Sequence, residues 1–139
     1  MNNSKLIPRR IRESDWEILN EWWDYWPGVE APPKDFLPDN GTGGVMIEDN
    51  GRPVIAGFIY QTNSSGAFLE WIISSPNYRG REKRDNALEF LISSLEAVVK
   101  EMGYKTIFAM VRNKKIINLR KKFGWNIDPK PNYTHIKRL

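Results

Sequence analysis

One stretch, Ala67–Ser75 with the helix that follows it, constrains this 139-residue chain more than any other part. It reads A-F-L-E-W-I-I-S-S, apolar almost throughout and interrupted by Glu70. A strand wetted on one face alternates polar and apolar side chains, whereas a near-continuous apolar run needs cover on both faces. After the turn Ser75–Gly80, the residues Leu88, Leu91, Ile92, Leu95, Val98, Val99 and Met102 recur at helical spacing. That spacing predicts a helix over Glu82–Met102, stopped by Gly103. A central strand with helices on both faces of its sheet is the expected core.

The flanking segments supply the remaining layers. Leu6–Ile11 reads as an opening strand, and Ser14-Asp15-Trp16-Glu17 as a capping box, a serine with glutamate three residues on. The helix it opens runs to about Trp26 and stops at Pro27-Gly28, with a core stripe of Trp16, Leu19, Trp23 and Trp26. Pro27–Gly44 carries four prolines and four glycines and reads as a loop, of a length often tied to function. Val45–Glu48 and Val54–Tyr60 are two strands joined by the hairpin dipeptide Asn50-Gly51. Tyr104–Val111 is the next strand, Asn113–Phe123 a second helix closed by Gly124, and Tyr133–Arg138 a last strand. No linker or repeat divides the chain, so residues 1–139 are read as one domain.

Two motifs sit at the helix starts of this scaffold. The first is Ser74-Ser75-Pro76-Asn77-Tyr78-Arg79-Gly80; the second is Asn113-Lys114-Lys115-Ile116-Ile117-Asn118-Leu119-Arg120-Lys121-Lys122-Phe123-Gly124-Trp125. Together they resemble the acyl-coenzyme A signature of the GNAT N-acetyltransferases, roughly V-x-P-x-Y-R-G-x-G-x-G and N-x-x-A-x-x-L-Y-x-K-x-G-F. The resemblance implies the α/β (α+β) GNAT fold, a mixed and mostly antiparallel central sheet with helices on both faces. It also implies acetyl-CoA as cofactor. Three departures stand out: the phosphate-loop glycines fall on Glu82 and Arg84, and the family's tyrosine falls on Arg120. The short helix that usually shapes the acceptor site is replaced by the proline-rich loop.

A helix N-terminus offers unpaired N–H groups and a positive dipole end to a pyrophosphate. Around it, Arg79, Gly80, Arg81, Lys83 and Arg84 form a basic loop able to replace glycine contacts with charge-assisted bonds; a solvated charged first turn is the alternative. By the resemblance, backbone groups of Ile73 and Ser74 would bind the pantetheine arm, and Asn113 would contact the cofactor; asparagine is also simply a good cap.

Amine acetylation needs a base for the ammonium nucleophile. Glu70, alone in an apolar strand, is the candidate, since burial would raise its pKa towards neutrality; pairing with an arginine or lysine is the competing role. Strict alternation puts Glu70 on one face with Ile72 and Ser74. Arg120 stands in the family's acid position, where it cannot release a proton but could stabilise thiolate charge or hold a phosphate. Trp22 and Tyr25, beside the proline-rich loop, are candidates to line the acceptor pocket. His135 reads as an exposed strand residue.

Charge and composition narrow the function classes. A formal charge of +4 with clusters at Arg79–Arg84, Lys114–Lys122 and Lys137-Arg138 favours anionic ligands. With no cysteine and one histidine, neither a thiolate nucleophile nor a metal site is expected. No segment reads as a membrane span or a signal h-region, so a cytoplasmic enzyme is expected. The leading reading is an acetyl-CoA-dependent N-acetyltransferase acting by direct attack on the thioester, with a small-molecule or protein amine as acceptor. Two others stand beside it: a GNAT-fold binding or structural protein without catalysis, and a basic nucleic-acid-binding protein, which lacks a recognisable binding motif. Monomer and dimer are both open.

Overall fold

The computed structural model describes residues 5–110, 117–118, 121–122, 124–128, 130, 135–137 and 139. Among the described residues, five strands form one sheet in chain order: β1 Leu6–Arg10, β2 Gly44–Asp49, β3 Arg52–Tyr60, β4 Gly66–Ser74 and β5 Thr106–Phe108. The first four run antiparallel to their neighbours, and β4 pairs with β5 in parallel. Helix α1, Trp16–Tyr25, covers one face, and α2, Arg81–Glu101, covers the other.

Period-two alternation divides the core between the faces. Val45, Ile47, Ile55, Ile59, Ala67 and Leu69 pack under Leu88, Leu91, Ile92, Leu95 and Val99 of α2. Met46, Ala56, Phe58 and Ile73 pack under Leu19, Trp22 and Trp23 of α1, with Ile11 and Leu37 at the rim. Gly57 lets α2 approach closely: a Cβ there would sit 3.0 Å from Leu95 Cδ1. The β2–β3 hairpin turns on Asn50 and Gly51, both at positive φ (52° and 82°), as a tight primed turn requires.

The start of α1 differs from the capping box expected at Ser14. Winding begins earlier, as a 3₁₀ turn over Glu13–Asp15, and Ser14 is exposed. The capping oxygen comes from the buried Asp15, whose carboxylate accepts the Arg12 N–H at 2.7 Å. Arg9 fixes that carboxylate through two bonds of 2.8 Å and donates a third to Glu48 of β2. Desolvation pushes the Asp15 pKa up, but the Arg9 and Arg12 hydrogen bonds outweigh it and hold the group below the usual carboxylate range.

The proline-rich segment is more ordered than a plain loop. It contains two 3₁₀ turns, Lys34–Phe36 and Pro38–Gly41, with Leu37 buried between them. Lys34 pairs with Glu13, and Tyr60 donates to the Phe36 carbonyl at 3.0 Å, tying the segment to both α1 and the sheet. Strand β5 is shorter than Tyr104–Val111. Most of the expected second helix and last strand lies outside the described residues; Ile117, Asn118, Lys121 and Lys122 are helical, Gly124 has φ 84°, and His135 is exposed.

Candidate cofactor and acceptor site

The site grows from one irregularity in β4. Phe58 is opposite Glu70 and Ala56 is opposite Ile73, so Gly57 faces two residues, Trp71 and Ile72. This is a β-bulge, and Trp71 adopts φ 59° to make it. An extra residue flips the parity of everything after it. Leu69 therefore belongs to the α2-side core, while Trp71 and Ile73 both belong to the α1 side. Glu70, opposite Phe58, lies on the α1 face together with Trp71, not with Ile72 and Ser74 as alternation predicts.

Among the described residues the ladder of β4 with β5 covers Gly66–Phe68 against Thr106–Phe108. Two residues on, a Glu70 carboxylate oxygen accepts the Met110 N–H at 3.0 Å, putting a side chain where a backbone acceptor would stand. Farther along, the Ser75 N–H bonds the Val54 carbonyl at 2.8 Å, so Ser75 faces β3. By alternation Ile73 also turns its backbone groups to β3, and those of Ser74 point away from it. On that side the Ser74 carbonyl accepts the Trp26 Nε1–H at 2.9 Å.

Helix α2 starts beside Ser74. Gly80, at φ 107°, is its N-cap, and the first helical bond runs from Arg84 N–H to Gly80 O at 3.0 Å. The N–H groups of Arg81, Glu82 and Lys83 precede that bond and have no intrahelical acceptor. Arg79, Arg81 and Lys83 are exposed, as is Glu82. Arg84 instead folds back: its guanidinium lies 5.0 Å from the Trp26 ring centroid and donates to Ser74 Oγ at 3.1 Å. The turn is pinned below by Tyr78, which donates to the buried Asp49 at 2.7 Å. A cavity of about 420 Å³ opens here, lined by Trp26, Ile72, Ile73, Ser74, Tyr78, Arg84 and Leu88 among others.

On the α1 face, where Glu70 also lies, the rings of Phe36, Tyr60 and Trp71 meet. Phe36, 50% exposed, packs edge-on against Tyr60 and Trp71 at centroid distances of 6.4 and 6.1 Å. Trp71 donates Nε1–H to the Tyr60 hydroxyl at 3.0 Å. Burial raises the Tyr60 pKa and the Glu70 charge adds to it, against the opposing Trp71 bond, so Tyr60 stays protonated at neutral pH.

The structure thus brings Ser74, Gly80, Arg81, Lys83 and Arg84 together, with Glu70 one bulge away. Arg79 lies on the same turn. Asn113 and Arg120 lie outside the described residues. Trp22 is 3% exposed and takes a core place, because it falls on the stripe of α1 that faces Ala56 and Phe58; Tyr25 is 56% exposed and packs edge-on against Trp26. Sequence reasoning missed Trp26, Phe36, Tyr60 and Trp71 as site residues. A signal existed for Tyr60, which shares the Phe58 face at the end of β3.

No protein-family model matches the chain, and no curated protein sequence matches it. Solved structures do. The ribosomal-protein-S18-alanine N-acetyltransferase from Escherichia coli superposes with a TM-score of 0.70 at 20% identity, over 88% of this chain and 78% of that one. Ard1 from Thermoplasma volcanium gives 0.72 at 16%, over 88% and 84%. AAC(6')-Iy, solved with the bisubstrate analog CoA-S-monomethyl-acetylneamine, gives 0.64 at 18%, over 98% and 100%. The chain has the GNAT acetyltransferase fold. Within this fold the chain has the Trp71 bulge in β4, and the turn into α2 carries side chains at Glu82 and Arg84.

Proposed function

We propose that the protein is an acetyl-CoA-dependent N-acetyltransferase. The observation that carries this is the Trp71 bulge in β4, which turns the Ser74 backbone away from β3 and sets it beside the basic first turn of α2, beyond the β4–β5 ladder of the described residues. The residues present fit coenzyme A. Unpaired N–H groups of α2 with Arg79, Arg81, Lys83 and Arg84 suit a pyrophosphate, and the apolar walls at Ile72, Ile73 and Leu88 suit a pantetheine arm. Asn113 would add a contact from the following helix.

When bound, acetyl-CoA supplies the thioester carbonyl; the chain's own groups do the rest. Ser74 offers a backbone donor and acceptor to align the arm. Glu70, held by the Met110 N–H, accepts a proton from an amine at its carboxylate, and the rings of Phe36, Tyr60 and Trp71 meet on the same face of the sheet. Arg120 would stabilise a departing thiolate. The acceptor is an amine, on a small molecule or a protein, and the cytoplasm is the expected compartment.

Calorimetric titration with acetyl-CoA, followed by thiol release across a panel of amines, tests this. Binding should weaken with salt, and reversing charge at Arg81 and Arg84 together should weaken it more than tenfold. No heat with millimolar acetyl-CoA at low salt would sink the enzyme reading. A second reading, a GNAT-fold binding protein without turnover, is favoured by Glu82 in the phosphate turn; it predicts coenzyme A binding with no thiol release for any amine.

A further inference from the structure

We infer that Trp26 and Arg84 form a clasp over the outward-turned backbone of Ser74 in β4, which a cofactor carrying a diphosphate and an amide arm must open in order to dock. The inference rests on the cofactor reading above and concerns how that site is closed. Trp26 directly follows α1, on one face of the sheet, and Arg84 belongs to the first turn of α2, on the other. Both reach Ser74. The indole Nε1–H bonds its carbonyl at 2.9 Å, and the guanidinium bonds its hydroxyl at 3.1 Å while lying 5.0 Å from the indole centroid. Three residues from three elements thus close on each other at the cavity of about 420 Å³.

Each bond of the clasp can be exchanged for another. Ser74 turns its backbone groups away from β3, so its carbonyl is the acceptor an amide-bearing arm would use, and the indole N–H now occupies it. A neutral amide N–H can replace an indole N–H at that carbonyl nearly one for one. Arg84 is bound to a neutral hydroxyl, and a phosphate offers it a bidentate, charge-assisted partner that is stronger. An arriving diphosphate therefore draws Arg84 off the indole, and the arm takes over the Ser74 carbonyl. Arg84 does not replace a glycine simply as one more surface cation; it links phosphate binding to the freeing of the Ser74 carbonyl. Trp26 is then a positioning residue of the cofactor site.

The test uses the full chain and coenzyme A. In ¹⁵N–¹H spectra the six tryptophans give indole signals, and Trp26 is assigned from Trp26→Phe. Its indole signal should move more than any other as coenzyme A is added. Trp26→Phe keeps a ring for Arg84 but lacks the competing N–H, and it should bind coenzyme A about fivefold tighter, the equivalent of about 1 kcal/mol. Ser74→Ala, which keeps the carbonyl but frees Arg84, should also bind tighter, which guards against a poorly folding Trp26 variant. Calorimetric binding of coenzyme A with an unmoved Trp26 signal and unchanged affinity in both variants would overturn the clasp and leave the cofactor reading standing. Binding by the variants where the unaltered chain shows none would support the clasp strongly. No binding by any of the three would overturn both.

Discussion

Replacing Glu70 separates its chemical role from its structural one. The Met110 N–H sits 3.0 Å from a Glu70 carboxylate oxygen, just past the β4–β5 ladder of the described residues. Glutamine keeps a carbonyl oxygen able to accept that N–H, whereas alanine removes the acceptor. Glu70→Gln should therefore melt within about 3 °C of the parent, because it keeps a hydrogen bond that contributes at most about 1 kcal/mol at this exposed place, and that energy moves Tm by about 3–4 °C in a domain of this size. Its kcat should fall by about 10²–10⁴, the usual contribution of a positioned general base. Acetyl-CoA affinity should change little, because Ser74 and the α2 turn are untouched. Glu70→Ala should lose the same kcat and in addition about 1 kcal/mol of stability. Stopped thiol-release assays over a pH range, with thermal melts of both variants, supply the numbers. Full turnover by Glu70→Gln would refute the base assignment, and melting of Glu70→Gln as low as Glu70→Ala would refute the part given to the Met110 bond.

Two further outcomes follow from the core. Asp15 has a folded-state pKa below its unfolded value, so its contribution is complete above the ordinary carboxylate range and is lost as pH falls through and below about 4; Asp15→Asn should cost about 3 kcal/mol at pH 7 by leaving Arg9 half-paired and should flatten the loss of stability between pH 5 and 3 in urea melts. Gly57→Ala would put a methyl 3.0 Å from Leu95 Cδ1 and 3.4 Å from Ile72 Cγ1, and should destabilise by about 1–3 kcal/mol through overpacking, visible as a lower urea midpoint at an unchanged slope.

What the sequence disclosed and what it concealed divide along the range of the interactions. The hairpin at Asn50-Gly51, helix α1, helix α2 and strands β2 to β4 are encoded by neighbours a few residues apart, and their spans match the expected ones closely. The cap of α1 was misread because the choice between Ser14 and Asp15 is made by Arg9, itself held by Glu48 in another strand. The proline-rich segment was read as loop because its order comes from Phe36 resting on Tyr60 and Trp71, 24 and 35 positions away along the chain. The face of Glu70 was misplaced for a similar reason. Strict alternation is the right inference from an uninterrupted apolar run, and only a tertiary contact can insert a bulge into it. The basic turn and Ser74 stand out as candidates in the sequence because a helix start after a strand is a local feature. Trp26 was missed as a site residue because its stripe position on α1 is compatible with core and edge alike.

The bulge itself can be tested through the sign of a glycine effect. In the body of a strand glycine is less stable than alanine by about 0.5–1 kcal/mol, because it loses more backbone freedom on folding. At a left-handed position the order reverses, since a Cβ there costs about 1–2 kcal/mol. Trp71 has φ 59° and is held by ring contacts with Trp23 and Phe36 and by its bond to Tyr60. Trp71→Gly and Trp71→Ala both delete those contacts, so the ring's contribution cancels between them and only the backbone term remains. Trp71→Gly should then be the more stable of the two by about 1 kcal/mol, or about 3–4 °C in Tm. It should also keep Glu70 on the α1 face, and with it whatever turnover survives loss of the indole. Greater stability in Trp71→Ala would mean that β4 runs on regularly through residue 71. Glu70 would then share a face with Ile72, and the Ser74 backbone would lose the parity that turns it away from β3.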